Sequence, residues 1–216
     1  MKNTNLITTV DVVVMTLKEG ALRVALYQRK SDPFAKAFGL LGGPVHVGED
    51  ADMDAAARRL LRDEGMLKGA FLEQLGTFSG AKRDPRGWSL SGAYLALLPE
   101  ERFEDVKLAA VDPTPRKMPF DHSAILKAAV ARVRQKSVYS TLPTFLMQDA
   151  FTIAELRDVY QIVLGIEKID LAGFRKKILD LKAIEPLDGK MRRGTHRPAQ
   201  LYRRATKDVA LFDRTI

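Results

Sequence analysis

Between Gly42 and Met66 the chain concentrates charge: Glu49 and Asp50, then the run Arg58-Arg59-Leu60-Leu61-Arg62-Asp63-Glu64. Side chains three and four residues apart share a helix face. Residues 59, 62 and 63 therefore project together, while Met53, Ala56, Ala57, Leu60 and Leu61 supply an apolar stripe. Three carboxylates on such a face would suit magnesium, which takes hard oxygen ligands. Here the face reads Arg59, Arg62 and Asp63, so two of the three positions carry the opposite charge. At roughly 5 Å and an effective dielectric of about 20, one misplaced unit charge costs a divalent ion about 6–7 kcal/mol. The expectation is a retained helix with lost chemistry: no metal, no cofactor and no catalytic residue.

The same stretch resembles a Nudix box with two departures. Gly43 and Glu49 keep the first interval of that signature, but Asp50 to Ala57 makes the second interval eight residues, one too long. The three carboxylates that a Nudix hydrolase places on its helix fall on Arg59, Arg62 and Asp63.

Around this stretch the elements read as follows. Thr8 to Met15 and Arg23 to Tyr27 form a hairpin about Lys18-Glu19-Gly20 that opens a mixed sheet. Gln28 to Phe34 is a polar loop leading to Phe38-Gly39-Leu40-Leu41 and the box. Phe71 to Phe78 and Ser89 to Leu98 are strands, joined by a turn-rich loop from Gly80 to Gly87 that carries three cations. After the proline-rich stretch Pro113–Pro119, Asp121 can cap a helix from His122 to about Gln135, broken by Ser137–Pro143. The domain boundary is expected near Pro143, giving residues 1–143 and 144–216.

The second part changes character. Thr152 and Glu155 form a capping box, with Phe151 and Leu156 as its hydrophobic staple, and Gly165 ends the helix. Asp170 caps the next helix, Leu171 to Leu181, whose buried stripe is Leu171, Phe174, Ile178 and Leu181. A strand at 183–187, a turn over 188–198 and a returning strand at 199–204 complete the order of a winged helix-turn-helix.

Charge supports that order. Net charge is +8, and residues 175–207 hold eleven Lys or Arg against three acids, so the whole excess lies there. A localised excess is the footprint of a polyanion-binding surface, although a solvated basic face with no partner has the same composition. Arg175 is placed to read a base edge, with Lys176 and Lys177 toward phosphate. On the wing, Lys190, Arg192, Arg193 and Arg197 can follow the backbone, with Arg203 on the returning strand. The sequence has no cysteine, in keeping with a reducing cytoplasm, and no apolar run approaching a membrane span. A soluble, unprocessed, cytoplasmic protein is expected.

A degenerate box followed by Phe151-Thr-Ile-Ala-Glu-Leu, Phe174-Arg-Lys-Lys-Ile-Leu and Arg197-Pro-Ala-Gln-Leu-Tyr-Arg resembles the NrtR family, Nudix-related transcriptional regulators of NAD metabolism. The likeness extends to Phe71-Leu-Glu-Gln-Leu, Arg83-Asp-Pro-Arg-Gly, Ala93-Tyr-Leu-Ala and Phe120-Asp-His. It implies an α+β chain: an N-terminal Nudix-like α/β/α sandwich with a mixed sheet, then a winged helix-turn-helix. It also implies a homodimeric repressor that binds a palindromic operator on double-stranded DNA and releases it on binding ADP-ribose or a related nucleotide.

Candidate effector contacts are Arg29, Glu49, Arg59, Arg62, Phe78, Arg83 and Arg86. Arg59 and Arg62 could neutralise a pyrophosphate directly, or pair with Asp50, Asp63 or Glu64. Phe78 could stack on a base or pack in the core. His46, His122 and His196 are too scattered for a metal site, and His122 is read as a helix-start residue. Two other classes compete: a Nudix hydrolase using Glu49, Asp63 and Glu64 with an accessory C-terminal domain, and a protein-binding module in place of the DNA-binding one.

Overall fold

The computed structural model describes residues 6–115, 117–193 and 198–216. By contacts the chain divides into two compact units. The first comprises the segment up to Thr16, Arg23–Leu98 and Arg102–Val130; the second comprises Leu17–Leu22, Pro99–Glu101 and Ala131–Ile216.

A seven-stranded mixed sheet is built around β1 (Ile7–Lys18). β1 neighbours β2 (Ala21–Gln28) and runs parallel to β6 (Gly87–Leu97), which pairs antiparallel with β5 (Phe71–Asp84). Three short strands complete it: β3 (Phe38–Gly39) beside β2, β4 (Leu41–Pro44) beside β1, and β7 (Lys107–Ala110) beside β2. The turn between β1 and β2 is two residues long, with Glu19 at φ 52° and Gly20 at φ 69°, the left-handed pair that matches hairpin twist.

Alternation along β1 assigns the two faces of the sheet. Val10, Val12 and Val14 join the core cluster that holds Ala56, Ala57, Leu60 and Leu61 of α1 (Met53–Asp63). Asp52 caps α1, its carboxylate accepting from Ala55 N at 2.8 Å. Asp11 therefore points to the opposite face, where His122 opens α2 (His122–Val138). Helices on both faces of a mixed sheet make this the expected α/β/α sandwich.

The second unit contains α3 (Ile153–Leu164), α4 (Leu171–Asp180) and the hairpin of β8 (Ile184–Arg192) with β9 (Ala199–Arg204). Its core is Phe151, Ile153, Leu156, Tyr160, Phe174, Ile178, Ile184, Tyr202 and Phe212. The capping box is present in both directions: Thr152 Oγ1 accepts from Glu155 N, and Glu155 Oε2 accepts from Thr152 N. Gly165 ends α3 at φ 68°, in the left-handed conformation that a side chain would strain.

Four expectations need correction. The loop expected at Gly80–Gly87 is mostly strand: β5 continues to Asp84, with irregular register between Gly80 and Asp84. Bulged pairing to β6 satisfies backbone groups that composition alone would leave to solvent. The turn expected over 188–198 is likewise shortened, since β8 runs to Arg192 past an irregularity between Pro186 and Met191. The second helix reaches Val138, and Ser137, expected to break it, bonds back within it, Oγ donating to Val133 O at 2.6 Å. Leu171 is 40% exposed, outside the buried stripe of α4. β7 was not anticipated from the sequence. No helix among the described residues is long and apolar enough to cross a membrane.

Candidate effector cavity and nucleic-acid interface

Asp11 is an ionisable group in an otherwise apolar strand, and it is only 5% exposed. Ser91 of β6 donates to its Oδ2 at 2.7 Å, Arg83 Nη2 lies 3.3 Å from the same oxygen, and His122 Nε2 lies 3.4 Å from Oδ1. Burial pushes the Asp11 carboxyl up, but the bonds from His122 and Ser91 and the Arg83 charge outweigh it, holding it below its ordinary value. Two glycines make room for this arrangement. A Cβ on Gly42 would collide with Asp11 Oδ1, and one on Gly39 would sit 2.7 Å from His122 Nδ1, the atom that accepts from Leu40 N.

Arg83 on β5 joins Asp11 to the start of α2. Its Nε and Nη2 donate to the two oxygens of Asp121 at 3.0 and 2.8 Å, and Nη1 reaches Ser89 Oγ at 3.4 Å. Burial lowers the Arg83 pKa, and the bond to Asp121 with the charges of Asp121 and Asp11 more than restores it, so the cation is firmly held. Beyond it Arg86 grips Asp84 with Nε and Nη2 at 3.0 and 2.7 Å. Arg29 donates from Nε to Pro33 O at 2.9 Å and stacks on Phe120, 4.7 Å from the ring centroid.

These side chains line one cavity of about 210 Å³, with Asp11 in its wall, Arg29, Arg83 and Arg86 around it, and Phe120 and His122 beside them. Three guanidinium groups beside an aromatic ring and an ionised carboxylate suit a ligand with phosphate, a flat base and hydroxyl groups.

The other sequence candidates lie elsewhere. Arg59 is paired: its Nε and Nη2 donate to the two oxygens of Asp50 at 2.9 and 2.8 Å, and Nη2 also reaches Pro44 O at 3.1 Å. Arg59 thus touches the cavity wall only through Pro44. Arg62 is exposed without an ion pair among the described residues. Glu49 is exposed and paired with His46 Nδ1 at 3.1 Å. Phe78 is half-buried on β5 opposite Ser91 and does not line the cavity. Asp11, Asp84, Phe120, Asp121 and the buried role of His122 were missed. For Asp11 the signal was present, since an acid inside Val10-Asp-Val-Val-Val needs a partner to be buried.

In the second unit, Asp170 Oδ2 accepts from Gly173 N to start α4. Arg175 and Lys176 are exposed on that helix, as are Lys190 and Arg193 on the wing, with no ion pair among the described residues. Lys177 donates to Thr215 O at 2.6 Å. Arg192 faces Glu155 at 3.3 Å, and Arg203 pairs across the hairpin with Glu185 at 2.6 Å. Arg197 lies outside the described residues.

Residues 143–204 match the model of the NrtR DNA-binding winged helix domain. A protein of Acinetobacter baylyi described as an ADPR responsive transcriptional repressor is 33% identical over 208 residues, 93% of this chain and 82% of that one. Shewanella oneidensis NrtR, crystallised with a 27mer DNA, superposes with a TM-score of 0.88 at 31% identity, covering 97% of this chain and 99% of that one. The NUDIX domain of the same regulator, crystallised with ADP ribose, gives a TM-score of 0.53 at 29% identity over 60% of this chain and 89% of that one. With a relative this similar over nearly its whole length, the chain belongs to the NrtR family of transcriptional regulators.

Proposed function

We propose that this chain is an ADP-ribose-responsive transcriptional repressor, with residues 1–143 sensing the nucleotide and residues 144–216 binding a palindromic operator as a homodimer. The observation that carries the reading is the likeness over 97% of the chain to a regulator solved on DNA. The site geometry supports it. ADP-ribose offers a pyrophosphate to Arg29, Arg83 and Arg86, ribose hydroxyls to the Asp11 carboxylate, and a base to Phe120. Arg175, Lys176, Lys190 and Arg193 are exposed cations able to meet DNA, and Arg175 is the side chain assigned to a base edge.

Effector binding proceeds without hydrolysis in this reading. The acids around α1 do not suit a divalent ion: Arg59 occupies both oxygens of Asp50, Arg62 stands on the same face, and Glu49 is turned to His46. The test is a gel shift on a duplex from the chain's own upstream region, with random-sequence DNA as competitor and magnesium and ADP-ribose present in a parallel hydrolysis assay. The expected result is a specific shift at least about 10³-fold tighter than on random DNA, with the nucleotide recovered intact. Turnover of ADP-ribose with no specific shift would overturn the reading.

A further inference from the structure

The last twelve residues lie beyond the segment matched by the winged-helix family model, which ends at residue 204. Within the second unit they fold back onto it. Thr141 N donates to Ala210 O at 2.9 Å, Phe212 N to Tyr139 O at 2.8 Å, and Ile216 N to Val138 O at 2.9 Å. Phe212 is 8% exposed, and its ring lies 6.3 Å from that of Tyr160. Backbone bonds at three points and a buried aromatic anchor fix the course of this tail.

Its course brings it against α4. Gly173, Lys176, Lys177 and Asp180, spaced by three and four residues along the helix, line a cavity of about 440 Å³ together with Asp213 and Arg214 of the tail. Lys177 is engaged by the tail itself, donating to Thr215 O at 2.6 Å with its amine 5.6 Å from the Phe212 ring centroid. Lys176 and Arg214 remain exposed, without an ion pair among the described residues. Lys176 adjoins the exposed positions 172 and 175 of the same helix.

We propose that the tail is a phosphate clamp: Arg214, which lines the same cavity as Lys176, takes a backbone phosphate of the duplex that α4 engages. This rests on the DNA-binding reading above. Asp180 and Asp213 line the same cavity, so three cations face two acids and the excess is a single positive charge. Such a site takes the phosphate of a duplex already held by α4 and the wing, and it does not concentrate free phosphate. Lys177 serves the tail, and its charge is bound to a carbonyl before DNA arrives.

The test uses the full chain, a labelled duplex from its own upstream region, and fluorescence anisotropy over about 50–200 mM salt. Arg214→Ala is expected to lower the slope of log affinity against log salt by about one and the affinity about fivefold to tenfold at the lower salt, with thermal stability unchanged. Arg214→Lys is expected to restore both, since an ammonium also serves a single phosphate. An Arg214→Ala slope equal to wild type, while Arg193→Ala lowers it, would overturn the clamp and leave the DNA-binding reading standing. A loss that Lys does not rescue would make Arg214 structural and also overturn it. A wild-type chain without salt-dependent binding to DNA would remove the reading beneath the proposal as well.

Discussion

Asp50 has both oxygens on the Arg59 guanidinium and a further bond from His46 N at 2.8 Å. The Arg59 bond first, then the His46 amide, hold its carboxyl down at about 2. A carboxyl depressed in the folded state stabilises the fold above its unfolded value of about 3.9, and that contribution disappears as pH falls through about 2. Arg59→Ala should therefore move the Asp50 titration, followed by NMR, up toward about 3.9. An unmoved titration would mean that Arg59 is not its principal partner. Arg83 makes a sharper case because its partner Asp11 is buried. Arg83→Met should lower unfolding free energy by about 3 kcal/mol, at the low end for breaking a buried pair because His122 and Ser91 remain. Denaturant unfolding would measure it, and a change under about 1 kcal/mol would contradict the assigned pairing. The same variant should bind the effector at least about tenfold more weakly, since a charge-assisted bond is worth over 1.4 kcal/mol. Arg29, Arg83 and Arg86 are among the effector contacts expected from the sequence, and all three line the one cavity. Asp11, Phe120 and Asp121 were not among them, because their roles come from pairing between segments about 40–90 residues apart, which no local pattern encodes.

At the level of elements, local chemistry was a good guide in the second unit, where it acts within one turn. The Asp170 cap, the Thr152–Glu155 box and Gly165 all sit where the sequence puts them, while the Asp52 cap was not read from it and the Asp121 carboxylate, expected to cap α2, is held by Arg83. Thr152→Ala should cost about 1 kcal/mol in chemical denaturation, because it leaves the Glu155 amide without its capping oxygen. A neutral result would show that solvent replaces the hydroxyl. Elements whose bounds come from pairing between strands were harder to place. β5 and β8 both run past glycines and charged residues that read as turns, since partners on β6 and β9 satisfy their backbones. β7 is four residues long and owes its existence to β2. On the wing, Lys190 and Arg193 are exposed and have no ion pair among the described residues, while Arg192 and Arg203 face carboxylates. Arg193→Ala should thus lower the salt slope of DNA binding by about one, and Arg203→Ala by less. Equal slopes for the two variants would contradict that division.

For the whole molecule, charge and chemistry are distributed unevenly. The net excess of eight lies within residues 175–207, while Arg83 and Arg86 of the candidate effector cavity stand beside Asp11, Asp84 and Asp121. The first arrangement suits a long polyanion and the second a single small one. A regulator requires more than two sites, since an effector shifts DNA binding only through different affinity for the DNA-bound and free states. That difference is reciprocal: whatever factor ADP-ribose takes from DNA affinity, DNA must take from ADP-ribose affinity. The most direct measurement is therefore the pair of affinities on one preparation: operator binding by anisotropy with and without saturating ADP-ribose, and ADP-ribose binding by calorimetry with and without operator. The account predicts equal factors of about 5–150 in the two directions, with the nucleotide intact afterwards. Tight binding of ADP-ribose that leaves operator affinity unchanged, or its hydrolysis during the titration, would contradict it.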